Sequence, residues 1–426
     1  MSVHPTLDPD DTAPALPDGL DDDAVIDFET DRDNLYWLRE SYADHQYQPD
    51  GRPLTLGTED LNLARKLDKV LRFIEKRLIA PDLPRPVFKL EALPNGQRQL
   101  QLTADVDHFL WSLWTVMNTL SERFPLPGNA PLGPRRPPHL ALFQALAQHY
   151  GETSPVCPPY FETSSRIVRD PHGRIHFHLV LLPPFPSDPV AWVAALNRFV
   201  EDFRWRVEQP DFKATLLAYR RPALENYRGL VDYINQMFER YAKLLVLRVD
   251  LSYQEAYYRL HGSDFPELKR HRNKLLRYLR RDDLFPLVGY AWKLEYGAHK
   301  RGFHYHLLLF LDGAQARADI SLARTVGEYW QDEITGGTGQ YFNCNAAKNH
   351  YHTVATGLIR HDAAEGMKGL QYLVKYMTKI DPFLPAVLPP GARSFGHGRT
   401  PAPKDPRVGG RTRATESCPL PDPSRR

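Results

Sequence analysis

Two short segments of the chain carry residues whose types and spacing suit the cleavage of a phosphodiester bond. In the first, HYHLLLFL, His304 and His306 are two residues apart, so both imidazoles lie on one side of a predicted β-strand. Two imidazoles and one carboxylate are a common ligand set for a divalent cation that keeps positions open for substrate. Glu295, nine residues before His304 in the preceding predicted strand, is the expected third ligand.

The second segment, YLVKYMTK, supplies a nucleophile. Tyr372, Lys375, Tyr376 and Lys379 share one stripe of a predicted helix, and the opposite stripe is apolar and suited to packing on a sheet. We therefore expect the tyrosines and lysines to face outward, towards the histidines. The ordinary tyrosine pKa is near 10, and nearby cations favour the phenolate. Attack on phosphorus leaves a 5′-phosphotyrosine and a free 3′-hydroxyl, and the second tyrosine can attack while the first still carries its strand.

Each segment also has a simpler interpretation. Histidine pairs with the same spacing begin at His176 and at His350, so the pattern alone is weak. A helix with a solvated polar stripe also explains the tyrosine segment. Glu295 could be an exposed strand carboxylate. Asp250, in LRVDL, is expected to have a partner, because burying a lone carboxylate is costly.

The apolar pattern places both segments in one α+β unit over residues 222–385. The predicted order is β-α-β-β-α-β-α, which favours an antiparallel sheet with helices packed on it. The strand LLVLRVDLSY is expected to be buried on both faces. The predicted elements are helices over residues 223–241, 263–281, 322–334 and 363–380, strands over 244–253, 286–297 and 302–312, and irregular strands between 341 and 360.

One of these helices is strongly basic and is a candidate for contact with nucleic acid. Its expected DNA-binding residues are Lys269, Arg270, Arg272, Lys274 and Arg277. The alternative is a solvated charged face without a ligand.

Charge is unevenly distributed along the 426 residues. Residues 1–33 hold eleven Asp or Glu and one Arg, a net charge of −10, so the overall +2 leaves about +12 for the remainder, which favours polyanionic partners. We expect a disordered acidic arm over 1–33. A mixed α/β accessory domain is expected over 34–221, with helices near 58–78, 108–124 and 188–207 and a strand near 173–183. The α+β unit at 222–385 and a basic Pro/Gly/Arg-rich tail at 386–426 complete the predicted organisation.

The predicted location is the cytoplasm. Three scattered cysteines favour reducing surroundings over a disulfide framework. The sequence contains no signal-peptide pattern, and its apolar runs are too short to cross a membrane, so no membrane partner is expected.

Three segments, LLVLRVDLSY (244–253), LEYGAHKRGFHYHLLLF (294–310) and GLQYLVKYMTKID (369–381), together resemble the HUH endonucleases. Within that superfamily they are similar to the rolling-circle replication initiators of filamentous phages and related prophage or plasmid elements. The resemblance implies an HUH-type fold, Mg²⁺ or Mn²⁺ on His304 and His306, and nucleophilic Tyr372 and Tyr376. It also implies cleavage of one strand at a replication origin. Members with a single tyrosine keep a lysine three residues after it, and both tyrosines here satisfy that pattern, so the first nucleophile stays open.

The expected function is site-specific nicking and rejoining of single-stranded DNA to initiate rolling-circle replication. No phosphate-binding GxxxxGK[ST] sequence is present, so unwinding and synthesis are expected from a host helicase and polymerase. One alternative is a mobilisation relaxase or single-strand transposase with the same active site. Another is a non-catalytic regulator that binds an origin.

Overall fold

The computed structural model describes most of the C-terminal half of the chain and separate parts of the N-terminal half. The described residues are 31–47, 52–80, 86–92, 98–101, 137–153, 163–169, 175–181, 189–261, 264–281, 285–297, 302–351, 353–381, 384–399 and 419–420. Residues 1–30 of the predicted acidic arm, the helix predicted near 108–124 and most of the tail lie outside this set.

The N-terminal region consists of helices and short hairpins. Thr58 caps its second helix, because its hydroxyl accepts a hydrogen bond of 3.0 Å from the Leu61 amide. The helices predicted near residues 58–78 and 188–207 and the strand predicted near 173–183 are confirmed. The helices are α1 (Asp31–Tyr42), α2 (Glu59–Phe73, continued by a π-helical turn at Ile74–Leu78), α3 (Pro138–Thr153) and α4 (Pro189–Glu208). The strands form three hairpins: β1 (Asp44–Tyr47) with β2 (Pro53–Leu56), β3 (Lys89–Ala92) with β4 (Arg98–Gln101), and β5 (Thr163–Arg169) with β6 (Ile175–Leu181).

The C-terminal region is built on one antiparallel sheet with packed helices, as the sequence predicts, and the sheet has six strands among the described residues. Its centre is β9 (Gly302–Asp312), between β7 (Lys243–Tyr253) and β8 (Leu287–Gly297). The outer edge of β7 pairs with β10 (Gly339–Asn343) and β11 (Gly357–Arg360), and β12 (Phe395–His397) pairs with β8. Every residue of β7 except the two at its ends is buried, which confirms the expected burial on both faces.

Helices cover both faces of this sheet. They are α5 (Pro210–Arg240), α6 (Glu255–His261), α7 (Phe265–Leu279), α8 (Asp319–Tyr329, continued by a π-helical turn at Trp330–Ile334), α9 (Ala364–Thr378) and α10 (Leu384–Val387); a 3₁₀ turn lies at Lys348–His350. Helix α5 runs through residues 221 and 222, where the sequence places a domain boundary, and β12 lies beyond the boundary placed at 385.

The alternation of side chains along β9 gives the sheet two different cores. Leu308 and Phe310 point towards α5 and α9, whereas Tyr305 and Leu307 join the larger cluster that includes α7 and the N-terminal helices. On the face covered by α5 and α9, one half of the central strands carries apolar side chains and the other half carries polar side chains. That polar half, beside α9, is the candidate site. Among the described helices, none combines the length and apolar character needed to cross a membrane.

Candidate metal and nucleophile site

Strand register brings the predicted ligands together. Glu295 on β8 lies directly opposite His304 on β9 in the antiparallel ladder. His306 is opposite Lys293 on one side and Asp250 on the other. The ligand atoms of Glu295, His304 and His306 lie within 4.8 Å of one another, and all three side chains are fully buried. The structure thus assembles the predicted Glu-His-His set on one face of the sheet.

The second nitrogen of each imidazole is held by a neighbouring acceptor. His306 Nδ1 donates to Asp250 Oδ1 at 2.7 Å, so the expected partner of Asp250 is found. His304 Nδ1 donates to the Gly302 carbonyl at 3.1 Å. Gly302 has a φ of 56°, a conformation that favours glycine, and its carbonyl oxygen lies within hydrogen-bonding distance of His304 Nδ1. Both Nε2 atoms therefore present lone pairs, and an orienting carboxylate or carbonyl is typical of metal-bound histidine.

The three atoms that converge are all acceptors. Glu295 Oε2 lies 2.8 Å from His306 Nε2 and 3.6 Å from His304 Nε2. Because lone pairs repel one another in a buried site, a cation among these atoms would satisfy all three. The set therefore fits a divalent metal ion, which would find two imidazoles and one carboxylate there.

Two lysines neutralise Glu295 from the other side. Lys293 Nζ lies 2.7 Å and Lys379 Nζ 3.7 Å from Glu295 Oε1. Burial by itself would raise the pKa of Glu295, but the two lysines and His306 lower it well below its ordinary value. Burial also lowers the pKa of Lys293 to about 8, although Glu295 partly opposes this. Glu295 is therefore a carboxylate, the form that binds metal.

Tyr376 reaches the ligand set from α9. Its hydroxyl oxygen lies 2.9 Å from His306 Nε2, and its ring is 1% exposed. Three cationic groups surround the ring: Arg248 Cζ at 4.6 Å from its centroid, and the Nζ atoms of Lys293 and Lys379, each at 5.3 Å. Burial and the charge of Glu295 raise the pKa of Tyr376 well above its ordinary value. In this arrangement Tyr376 is a protonated phenol in contact with a candidate metal ligand.

Tyr376 faces the histidines as expected, but it is buried and does not lie on an outward stripe. Helix α9 packs closely on the backbone of Val354 at Gly369. A Cβ at position 369 would lie 2.3 Å from the Val354 carbonyl oxygen, so only glycine permits this approach. Tyr376 is buried together with the apolar stripe, between the polar half of the sheet and Ser41 of α1. Tyr372, one turn away, is partly exposed and packs on Trp37 with 5.6 Å between ring centroids. Lys375 is also only partly exposed.

The N-terminal helix α1 covers the site. Ser41 donates to the Tyr376 hydroxyl at 3.5 Å and accepts from Lys379 Nζ at 2.8 Å. Tyr42 donates to Asp381 Oδ1 at 3.1 Å, and the other oxygen of Asp381 accepts from the Tyr296 amide. These contacts join α1 to β8 and to the residue that follows α9 by three positions, and the three candidate ligand side chains are closed to solvent.

The basic helix lies on the opposite face of the sheet. Arg272 stacks on Trp292, with Cζ at 3.9 Å from the ring, and Trp292 belongs to the core cluster on that face. Four of the five predicted DNA-binding residues line a cleft of about 700 Å³, together with Arg280 and Tyr290. Lys274 instead donates to the Glu333 carbonyl at 2.6 Å. The basic cleft and Tyr376 are thus on different sides of the molecule.

Sequence reasoning missed Arg248, Lys293 and the residues of α1. Arg248 and Asp250 are two residues apart on β7, and Lys293 and Glu295 are two apart on β8. Charged residues at that spacing inside otherwise apolar strands indicate a polar face, so two of the misses could have been found. Glu40 and Ser41 lie far from the site in sequence, and no local pattern links them to it.

The fold and the site together define an α+β domain with a buried Glu-His-His set that resembles an HUH metal centre. Residues 208–398 match the family described as the YagK/YfjJ C-terminal domain, which is prophage-associated. The match spans fewer than half of the 426 residues and contains the entire ligand set and both tyrosines. The comparisons with curated proteins and with solved structures found no match.

Proposed function

We propose that this chain nicks and rejoins single-stranded DNA through a 5′-phosphotyrosine and thereby initiates rolling-circle replication. The observation that carries the proposal is the contact of 2.9 Å between the Tyr376 hydroxyl and His306, within a buried set of metal-ligand type. A nucleophile beside such a set is the arrangement that phosphodiester cleavage requires.

The geometry favours Tyr376 as the first nucleophile. Its oxygen bonds to phosphorus, the bond from phosphorus to the 3′ oxygen breaks, the phenol proton is released, and the 3′ oxygen takes up a proton. Glu295, His304 and His306 would hold Mg²⁺ or Mn²⁺, which supplies charge neutralisation on the phosphate oxygens. Lys293 and Lys379 stabilise the phenolate through their charge.

Tyr372 is proposed as the second nucleophile. It lines the same small cavity as Tyr376 and Arg248, one helical turn from the first tyrosine. A second phosphodiester held nearby can therefore be attacked by Tyr372 while Tyr376 remains linked to DNA. The 3′-hydroxyl released in that cleavage attacks the phosphorus of the Tyr376 link, which frees the Tyr376 phenol and rejoins the strand. A mobilisation relaxase or single-strand transposase would use the same chemistry.

The basic cleft is proposed as a separate contact for DNA. Lys269 and Arg277 are exposed there, and the aromatic rings of Tyr290 and Trp292 lie beside the arginines. Because the cleft is on the far face from Tyr376, it suits duplex DNA flanking the nicked strand. Host helicase and polymerase partners, and action at an origin, remain part of this proposal.

Adduct formation tests the proposal and its polarity. The full chain is incubated with Mn²⁺ and a pool of single-stranded oligonucleotides of randomised sequence, labelled at the 3′ end in one sample and at the 5′ end in another. We expect label to remain on the denatured protein only with the 3′-labelled pool, because a 5′-phosphotyrosine retains the downstream fragment. Tyr376→Phe should abolish the adduct, and Tyr372→Phe should retain it. A chain that forms no adduct with either pool would instead be a binding protein.

A further inference from the structure

One buried cation beside the nucleophile has no role in the ligand set. Arg248 is 4% exposed and lies against the Tyr376 ring. Two of its nitrogens, Nε and Nη2, donate to Asp250 at 3.2 Å each. The remaining nitrogen, Nη1, pairs with Glu40 Oε2 at 2.9 Å. Half of the guanidinium is therefore held by the sheet, and half is directed at a carboxylate from α1.

The guanidinium of an arginine is well suited to binding a phosphate. It stays charged when buried, and its planar donors match the oxygens of a phosphate or a carboxylate. Asp250 orients Arg248 from the same strand, so the direction of Nη1 does not depend on Glu40. An anion of either kind can occupy the position next to Nη1.

Glu40 occupies that position at a cost. Glu40 is 9% exposed, and burial raises the pKa of its carboxyl group although Arg248 opposes the rise. The cavity that Glu40 lines with Arg248, Tyr351, Tyr372 and Tyr376 measures about 20 Å³. That volume holds about one water molecule. A DNA backbone does not fit in this volume, so part of the cover over the Tyr376 hydroxyl must withdraw, and α1 contributes Glu40 and Ser41 to that cover.

We propose that Arg248 is a phosphate-binding residue of this site and that Glu40 occupies its guanidinium while α1 covers the nucleophile. The inference rests on the proposed cleavage of DNA. When a strand binds, a phosphate oxygen replaces the Glu40 carboxylate at Nη1, and Glu40 and Ser41 leave the neighbourhood of Tyr376. The closed and open forms differ in which anion Arg248 holds.

Oligonucleotide affinity without metal tests this exchange separately from catalysis. Fluorescence anisotropy with a labelled single-stranded oligo(dT), in the presence of EDTA, is measured for the full-length wild type, Glu40→Gln, Arg248→Lys and the double variant. We expect Glu40→Gln to bind roughly tenfold more tightly, because it removes the charge that competes with phosphate at Nη1. We expect Arg248→Lys to bind roughly tenfold more weakly, because lysine lacks the planar donors that hold both Asp250 and the phosphate. In the double variant, the gain in oligonucleotide affinity from Glu40→Gln should disappear, because that gain depends on the Arg248 guanidinium that Glu40 leaves free.

Glu225→Gln is the matched control, because Glu225 also pairs with an arginine, Arg221, at 2.7 Å, but on the exposed surface of α5. It should bind like the wild type. Unchanged affinity in Glu40→Gln, or the same gain with and without Arg248, would overturn the inference. A wild type that forms no adduct with Mn²⁺ would refute the proposed cleavage, and the affinities would still decide whether Arg248 binds phosphate.

Hydrogen exchange provides a second measurement that needs no variant. If α1 withdraws, the backbone amides of residues 38–42 should exchange faster when oligo(dT) is bound to the wild type. Slower or unchanged exchange there would contradict the withdrawal of α1, whether or not Glu40→Gln folds.

Discussion

Replacing Asp250 with Asn tests whether His306 is oriented as a metal ligand. Asp250 Oδ1 accepts from His306 Nδ1 at 2.7 Å, and Oδ1 and Oδ2 accept from Arg248. An asparagine offers only one acceptor oxygen. Its NH2 group must therefore face a hydrogen-bond donor of either His306 or Arg248, and one hydrogen bond is lost. A hydrogen bond to a charged group contributes about 1.5–3 kcal/mol and a neutral one about 0.5–1.5 kcal/mol. The difference, about 1–1.5 kcal/mol, corresponds to roughly a tenfold change in binding.

Loss of orientation adds to this difference, because mutation of the groups that orient metal ligands typically weakens metal affinity by about 10–100-fold. We therefore expect Asp250→Asn to bind Mn²⁺ about 10–100-fold more weakly by isothermal titration calorimetry. Asp362→Asn is the control, because Asp362 accepts the same two-point contact from the exposed Arg360, two residues before it, and lies away from the ligand set. Thermal unfolding should show that both variants fold. Wild-type Mn²⁺ affinity in Asp250→Asn would refute the assignment of His306 as an oriented ligand.

Two further predictions concern charge. The folded chain releases the Lys293 proton near pH 8, whereas the unfolded chain holds it to about pH 10.5, so the unfolded state binds more protons in that window and stability rises with pH. Lys293→Met should lack this part of the rise in urea unfolding measured from pH 8 to 10.5, and equal pH slopes would contradict the buried position of Lys293. In the basic cleft, Lys269→Gln with Arg277→Gln should reduce the slope of log affinity against log salt for duplex DNA by about 2. These two changes should leave adduct formation with short single strands within about twofold, and an unaltered slope would remove the cleft from DNA binding.

Much of the sheet could be predicted because its physical signals are local. Alternation along β9 placed His304 and His306 on one side, and the short connection after β8 put Glu295 in the neighbouring strand. The leucine and valine content of β7 indicated burial on both faces. The helical spacing of the tyrosine segment was also sufficient to predict α9, although not which tyrosine is buried.

The closure of the site could not be predicted in the same way. Contacts of Glu40 and Ser41 with Arg248 and Tyr376 join residues more than two hundred positions apart, and their geometry depends on how α1 packs. The burial of Tyr376 depends on contacts with the sheet and with Ser41 of α1, which lie far from it in sequence. Likewise, the basic character of α7 is plain in the sequence, but its position on the opposite face from Tyr376 follows from the way α7 packs on the sheet.

The most direct measurement of the central claim is mass-spectrometric mapping of the residue that becomes linked to DNA. The adduct formed by the full chain with Mn²⁺ and single-stranded oligonucleotides is digested with protease and nuclease, and the peptide that retains a nucleotide is sequenced. The Glu-His-His set beside Tyr376 predicts a phosphodiester link at Tyr376 in the first cleavage. A link at any residue outside α9, or undiminished linkage after His304 and His306 are both replaced with alanine, would contradict it.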